Sequence, residues 1–194
     1  MTVLHSKSKY SHEPTLLAGV FPGGRSVIWR DWYTHRVVVP TAGGPTRLQA
    51  PLGHINVHIR DKTVLLLHSK PAYTIAETRE GPFSLLLSLG KDGSAFGSAY
   101  LDDGESFPPG PATRLQFLVP VGGGKLRVTP RGTFGIDQLL EKVVILGVPA
   151  KPKSVTVNGK KVIADSWKWI AETNEVTVQN IGGNLNRPLD IIWG

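Results

Sequence analysis

The chain has 194 residues, a net charge of +7, 22 glycines, 15 prolines and no cysteine. The lack of cysteine excludes disulfides, thiolate metal sites and a cysteine nucleophile. No apolar run approaches the roughly 18 residues of a membrane helix, and the first twenty residues are polar, so we predict neither a membrane span nor a signal peptide. The basic residues are scattered, which predicts a basic surface and no nucleic-acid partner.

Short apolar segments alternate with turn residues along the whole chain. Turn signals recur about every ten residues, a spacing typical of sandwich folds. We therefore predict an all-β, antiparallel sandwich architecture with little or no helix. The one segment that could form a helical turn is 136–142, with Asp137 near its start.

The first seventy residues contain two segments with strand character. Residues 1–14 are polar and are predicted to be a loose lead-in. Residues 27–33 are rich in aromatic side chains, and residues 55–60 alternate apolar and polar. A period of two predicts that Ile55, Val57 and Ile59 share one buried face. The sequence Ser69-Lys70-Pro71 resembles a linker, so we place a domain boundary near residue 70.

The stretch 82–106 is the strongest local signal. Asp92-Gly93 lies between two apolar segments and predicts a hairpin, because such a turn needs positive φ. Leu85, Leu86 and Leu87 follow one another without alternation, which predicts a strand covered on both faces.

Downstream, alternation and turn residues predict further strands. Residues 113–119 alternate, so Leu115, Phe117 and Val119 should face the core. Asn158-Gly159 suits a type I′ turn and predicts a second hairpin. Thr173-Asn174 predicts a third hairpin. Buried or closing strands are expected at 125–129, 143–148 and 189–193.

Three stretches together resemble one enzyme family. They are Gly19-Val20-Phe21-Pro22 with Trp29-Arg30-Asp31-Trp32-Tyr33-Thr34-His35, then 50–60, then 87–106. In this order they resemble the region after the catalytic barrel of glycoside hydrolase family 31 α-glucosidases, especially the fungal maltase-like group. Residues 144–148 and 154–159 fit the same region, so the resemblance covers roughly residues 16–165.

The resemblance implies two consecutive antiparallel β-sandwiches, a proximal one at 15–70 and a distal one at 71–194. It implies a non-catalytic C-terminal region whose parent enzyme hydrolyses terminal α-linked glucose with retention. In that family the catalytic aspartates lie on an (α/β)-barrel, which would be this region's partner. The chain has no Trp-x-Asp-Met-Asn stretch, so no catalytic residue and no cofactor or metal ligand is carried over. Such enzymes are often secreted, but the sequence does not indicate a location.

One position departs from the family pattern. The family usually has Gly-Gly where this chain has Asp61-Lys62. If the turn needs positive φ at both positions, Lys62 would be strained.

Two clusters of polar residues were weighed as sites. On an extended strand Asp103 and Glu105 would lie about 7 Å apart, within the roughly 6.5–9.5 Å of inverting glycosidases. A solvated turn at Asp102, Asp103 and Glu105 is the preferred interpretation, with an independent hydrolase or a calcium site as weaker ones. His54 and His58 would be about 13 Å apart on a strand, too far to share one ion, so we expect surface histidines.

Aromatic residues leave a second function open. Trp29, Trp32 and Tyr33 suit core packing or sugar stacking, and Trp167 and Trp169 share a strand face that suits a carbohydrate platform. The alternative to a family 31 region is therefore a free-standing β-sandwich module that binds carbohydrate or a protein.

Overall fold

The computed structural model describes residues 16–194, and strands dominate this part of the chain. The predicted lead-in at 1–14 lies outside the described residues. The all-β class with little helix is confirmed. Within residues 16–194, no helix combines the length and apolar character needed to cross a bilayer. Contacts group the chain into two compact units, Met1–Asp61 and Lys62–Gly194.

The first unit contains two small sheets. Its strands are β1 Leu16–Gly19, β2 Trp29–Asp31, β3 Val37–Val38, β4 Thr46–Gln49 and β5 His58–Arg60, with a 3₁₀ turn at Gly24–Ser26. β1 pairs antiparallel with β4. β2 pairs antiparallel with both β3 and β5, so β2 is the central strand of the second sheet.

The second unit contains one helix and one large sheet. Its elements are β6 Thr63–His68, α1 Ile75–Glu80, β7 Phe83–Ser88, β8 Ala95–Leu101, β9 Thr113–Val119, β10 Lys125–Gly132, β11 Leu139–Leu146, β12 Val155–Val157, β13 Lys160–Lys161, a 3₁₀ turn at Ala164–Ser166, β14 Trp167–Ile170, β15 Glu175–Asn184 and β16 Leu189–Trp193. The strand order is β13-β12-β16-β10-β9-β8-β6-β7-β11-β15-β14. Because side chains from both ends of this order share one hydrophobic core, the sheet curls into a sandwich-like arrangement.

The predicted hairpin between 83–89 and 94–101 is wrong. A tight turn does form, with Gly93 at φ 77° and its N–H donating to the Gly90 carbonyl at 2.9 Å. The two strands do not pair, however, because β6 lies between them. β7 pairs antiparallel with β6 and parallel with β11, whereas β8 pairs with β9. The turn therefore carries the chain past β6 to the strand on its other side.

The core of the second unit follows the predicted burial patterns. Leu85, Leu86 and Leu87 are all buried, as expected for a strand covered on both faces. In β9, Leu115, Phe117 and Val119 are buried and their neighbours are exposed. Burying each such side chain contributes roughly 1.5–3 kcal/mol, so the buried residues of β7 and β9 stabilise the sheet of the second unit.

The other two predicted hairpins are confirmed. β12 and β13 pair across Asn158-Gly159, whose φ values of 48° and 77° fit a type I′ turn. β14 and β15 pair across the turn that contains Asn174, which has φ 51°. Asparagine tolerates this left-handed conformation better than other non-glycine residues.

The predicted helical turn at 136–142 is also wrong, because β11 begins at Leu139 and 136–138 is irregular. The α-helix lies instead at Ile75–Glu80. Thr74 caps it: the Thr74 hydroxyl accepts from the Glu77 N–H, and the Glu77 carboxylate accepts from the Thr74 N–H. This capping box stabilises a helix too short to be recognised by periodicity.

One burial prediction in the first unit fails. Ile59 is buried, but Ile55 is 75% exposed and Val57 is 37% exposed, because β5 begins only at His58. The strand Thr63–His68 pairs in the sheet of the second unit. The division into a proximal sandwich at 15–70 and a distal one at 71–194 stays a prediction.

Candidate functional site

The first unit exposes most of its large apolar side chains. Ile59 is the one Val, Leu, Ile or aromatic side chain of residues 16–61 that is buried. Four other side chains are largely open to solvent: Leu52, Val20, Ile55 and Val39, at 107%, 77%, 75% and 72% exposure. The exposed set is Leu16, Leu17, Val20, Tyr33, Val37, Val39, Leu52, Ile55 and Val57, and we call it the apolar surface of the first unit.

Two oppositely charged side chains are buried in the interior of the first unit. Arg30 and Asp61 are only 3% and 7% exposed. Burial lowers the pKa of Arg30, and the charge of Asp61 opposes that change. Asp61 also accepts a hydrogen bond through Oδ2 from the Ile28 N–H at 3.0 Å. The pair therefore ties the start of β2 to the end of β5.

Aromatic rings complete the frame of this unit. Phe21 packs edge-on against Trp29 and His58, with ring centroids 5.6 and 4.9 Å apart. The Trp29 indole donates to the Pro22 carbonyl at 3.2 Å. Tyr33 contacts the His54 ring at 5.0 Å. Trp29 therefore packs within this unit, whereas Tyr33 is 55% exposed. The choice between core packing and sugar stacking for these rings stays a prediction.

Asp31 holds the turn between β2 and β3. Its Oδ1 accepts from the N–H groups of Tyr33 and Thr34 and from the Thr34 hydroxyl, at 2.7–3.0 Å. Burial acts to raise the pKa of Asp31, but these hydrogen bonds outweigh it and lower the pKa. Burial likewise lowers the pKa of the neighbouring His58 imidazole, against the charge of Asp31. Asp31 is thus committed to the turn and not to catalysis.

Asp61 and Lys62, where the sequence departs from the family pattern, differ in backbone conformation. Lys62 has φ 57°, whereas Asp61 does not have positive φ. Lys62 donates to Asp92 Oδ2 at 2.7 Å, an exposed ion pair within the second unit. Only one of the two positions therefore needs the conformation that glycine adopts easily. The missed feature is Asp61 as the buried partner of Arg30; an acidic residue in place of glycine beside an apolar strand was its signal.

The carboxylates at 102–105 form a turn. Asp103 accepts from the N–H groups of Glu105 and Ser106, both at 3.1 Å, and from the Ser106 hydroxyl. The Ser106 hydroxyl is the main reason that the pKa of Asp103 falls to about 2. A general acid in a glycosidase needs a raised pKa, so this arrangement fits the predicted solvated turn and not a catalytic pair.

The predicted histidine pair stays apart. His54 packs on Tyr33, whereas His58 packs on Phe21. Among residues 16–194, no group of three or more His, Asp or Glu side chains is placed to hold a metal ion.

The predicted carbohydrate platform of Trp167 and Trp169 lies on β14. Both side chains are half-buried and pack against the core of the second unit. The Trp169 indole donates to the Val148 carbonyl at 3.1 Å. Contact of these two residues with a sugar stays a prediction.

Known proteins place this chain in a larger context. No protein-family model matches it. An α-glucosidase of Schizosaccharomyces pombe is 39% identical over 163 residues, which are 84% of this chain and 16% of that protein. An α-glucosidase of Aspergillus oryzae is 40% identical over 176 residues, 90% of this chain and 17% of that protein. A further relative, from Schizosaccharomyces pombe, is named a family 31 glucosidase and is 36% identical over 163 residues.

The chain belongs to glycoside hydrolase family 31 and corresponds to a C-terminal region of its α-glucosidases. The predicted resemblance, and the prediction of a non-catalytic region of a family 31 enzyme, are confirmed. The family 31 region spans about one sixth of the length of the curated relatives it matches, since it covers 16% and 17% of them.

Solved structures agree in fold. The family 31 region matches the glucosidase II alpha subunit with a TM-score of 0.76 over 97% of this chain and 22% of that one, at 21% identity. It matches the GH31 α-xylosidase of Xanthomonas citri with a TM-score of 0.52 over 92% of this chain and 17% of that one, at 14% identity. The folded shape is therefore retained while most side chains differ.

Proposed function

We propose that this family 31 region supports the catalytic barrel of an α-glucosidase and that the apolar surface of the first unit docks on that barrel. The observation that carries the proposal is the imbalance within residues 16–61. Nine large apolar side chains are exposed there, while Ile59 alone among the aliphatic and aromatic side chains is buried. Exposed apolar surface on this scale marks a contact with another protein surface.

The energetics favour a covered surface. A unit of this size buries a limited apolar area and is only marginally stable by itself. Moving a Leu, Ile or Val from water into a packed contact contributes roughly 1.5–3 kcal/mol. Four side chains are each at least 72% exposed and would gain most from a partner: Val20, Val39, Leu52 and Ile55. The barrel is the candidate partner because the relatives contain far more chain than this region matches.

The parent reaction in this proposal is hydrolysis of terminal α-linked glucose with retention. The relatives include proteins named α-glucosidase, and another, from Schwanniomyces occidentalis, is named glucoamylase 1 and is 46% identical over 145 residues. The barrel would supply both catalytic carboxylates. The role of this region would be to hold the barrel folded and to cover part of its surface. The low pKa of Asp103 is unsuited to a general acid, so this region would not supply that group.

The test combines this chain with the rest of a relative. The Aspergillus oryzae α-glucosidase lacking its matching segment is expressed separately and mixed with this chain. Binding is measured by calorimetry, and activity is measured on maltose and nitrophenyl α-glucoside. We expect the mixture to associate and to gain α-glucosidase activity that neither part has alone.

Matched variants separate docking from folding. The double change Leu52→Asp and Ile55→Asp, at side chains 107% and 75% exposed, should weaken association at least tenfold without unfolding the chain. The control Val121→Asp with Ile163→Asp alters side chains 76% and 70% exposed in the second unit and should bind normally. Turnover by this chain alone, no association, or equal losses in the two doubles would contradict the proposal.

A second candidate function is carbohydrate binding by the second unit. Phe96 and Tyr100 lie four residues apart on β8, on the same face, and are 67% and 54% exposed. In the strand register Phe96 faces Leu118 and Tyr100 faces Arg114 on β9. Exposed rings beside a guanidinium suit stacking and hydrogen bonding with a sugar chain.

Maltoheptaose binding, followed by NMR, tests both aromatic pairs. Phe96→Ala with Tyr100→Ala should abolish binding if β8 carries it, and Trp167→Phe with Trp169→Phe should do so if β14 carries it. Failure of the unchanged protein to bind millimolar maltoheptaose would dismiss this second function.

A further inference from the structure

A hollow lined by cationic, amide and apolar side chains lies on the second unit. It has a volume of about 620 Å³, within the range of small-molecule sites. The hairpin of β12 and β13 forms one side, and the end of β15 with the following turn forms the other. The side chains that matter are those of Lys160, Lys161, Arg187, Asn158, Asn180 and Asn184.

The charged residues that line the hollow are all cationic. Two lysines and one arginine line it, and none of its lining residues is Asp or Glu. Lys160, Lys161 and Arg187 make no ion pair within residues 16–194. The neighbouring carboxylate of Asp190 is already held by Arg127 at 2.9 Å and by Lys125 at 3.0 Å, so it does not neutralise them.

The amide side chains add hydrogen-bond donors. Asn158 Oδ1 accepts from the Asp190 N–H at 2.8 Å, which leaves its NH₂ group available. Asn184 Oδ1 accepts from the Asn186 N–H at 2.8 Å, with the same result. Lysine, arginine and these amide NH₂ groups are all donors. A ligand that fills the hollow must therefore be rich in acceptors.

The frame around the donors is rigid. Val155, Leu185 and Leu189 are buried, and they anchor β12, the end of β15 and the start of β16. Gly182 takes φ 56° and a Cβ there would meet no atom within 4 Å, so the floor beside it is open. The core therefore fixes the backbone of the site, while the exposed lysine and arginine side chains become ordered only when a ligand binds.

We propose that this hollow binds a sugar phosphate. Lys160 and Lys161 are consecutive on β13 and point to opposite faces, so Arg187 and the one lysine that faces the hollow would hold the phosphate oxygens by charge-assisted hydrogen bonds. The asparagine NH₂ groups would donate to sugar hydroxyls. Ile163, 70% exposed at the rim, offers an apolar surface to the sugar ring. This site is independent of the docking of the barrel, because it uses none of the residues of the first unit.

The experiment titrates the full chain with glucose 6-phosphate by calorimetry at low salt, beside inorganic phosphate and glucose. We expect glucose 6-phosphate to bind at least tenfold more tightly than either of the other two. The variant Lys160→Ala, Lys161→Ala and Arg187→Ala should lose at least tenfold in affinity. NMR shifts should concentrate on residues around Asn158 and Gly182.

A matched control removes the same charge elsewhere. Lys151→Ala, Lys153→Ala and Arg131→Ala change three exposed cations that do not line the hollow. This variant should bind glucose 6-phosphate like the unchanged protein. Equal losses in both triple variants, no binding below 10 mM, or phosphate binding as tightly as glucose 6-phosphate would each overturn the assignment.

Discussion

Removing Asp61 should destabilise the first unit by about 3 kcal/mol, because it takes away one of two opposite charges that are buried together, a change that costs roughly 3–5 kcal/mol. Arg30 is 3% exposed, and burial already lowers its pKa against the attraction of Asp61. The change Asp61→Ala deletes that attraction and also the acceptor of the Ile28 N–H, a hydrogen bond worth about 1 kcal/mol. We place the total at the lower bound because the surrounding unit is small and can relax.

Hydrogen exchange with mass spectrometry measures this locally. In Asp61→Ala, amides of β2 and β5 should exchange about 100-fold faster, since 1.4 kcal/mol corresponds to a factor of ten. The second unit should keep its protection, because the pair lies wholly within residues 16–61. Urea unfolding followed by fluorescence gives the corresponding free energy of unfolding.

A double variant distinguishes a lost charge partner from simple loss of packing. Replacing both residues, with Arg30→Met and Asp61→Leu, removes the buried charge together with its partner and should be closer in stability to the unchanged protein than Asp61→Ala is. The reasoning is refuted if Asp61→Ala costs less than about 1 kcal/mol, or if the double variant is as unstable as the sum of the single ones.

Two further predictions concern the second unit. Hydrogen bonds from Arg127, then Lys125, lower the pKa of Asp190 to about 2, so the stability that Asp190 contributes is present above its unfolded pKa near 4 and is lost as pH falls toward 2. Asp190→Asn should remove this pH dependence of urea unfolding, at a cost below about 1 kcal/mol because the ion pair is exposed. An unchanged loss of stability at acid pH in this variant would contradict the prediction. Gly97→Ala should lower the free energy of unfolding by more than about 2 kcal/mol, because a Cβ there collides with the Val64 carbonyl oxygen where β8 meets β6. Ser98→Ala on the same strand is the control. Equal melting temperatures for the two variants would exclude the close approach of β8 and β6 at Gly97.

Local sequence signals were sufficient wherever the decisive interactions are local. Asn158-Gly159 forms its turn because both residues reach positive φ at little cost. The alternation in 113–119 puts Leu115 and Phe117 in the core because side chains of a strand point to alternate faces. The family relationship was likewise readable from motif order alone. None of these features needs knowledge of which strands lie side by side.

The burial of the residues in the first unit was harder to predict from the sequence than the strands and turns. The alternation at 55–60 suggested burial for Ile55, which the structure leaves 75% exposed. Among the aromatic residues at 29–33, Trp29 packs against Phe21, whereas Tyr33 is 55% exposed. A pattern of apolar residues cannot distinguish a face that packs on its own chain from one left for a partner. Arg30 and Asp61 are thirty-one positions apart in the sequence. The acidic residue at position 61 is visible as a departure from the family pattern, but no local pattern shows that it is buried with Arg30.

By itself, the sequence determined the strand-rich class, the tight turns, the buried faces of the central strands and membership of family 31. Only the tertiary structure decided that β6 separates β7 from β8 and that 136–142 enters a strand instead of a helix. The physical reason is competition between distant strands. A β-strand is stabilised by whichever neighbour completes its hydrogen bonds and covers its faces, and that neighbour is selected by the whole core rather than by adjacent residues.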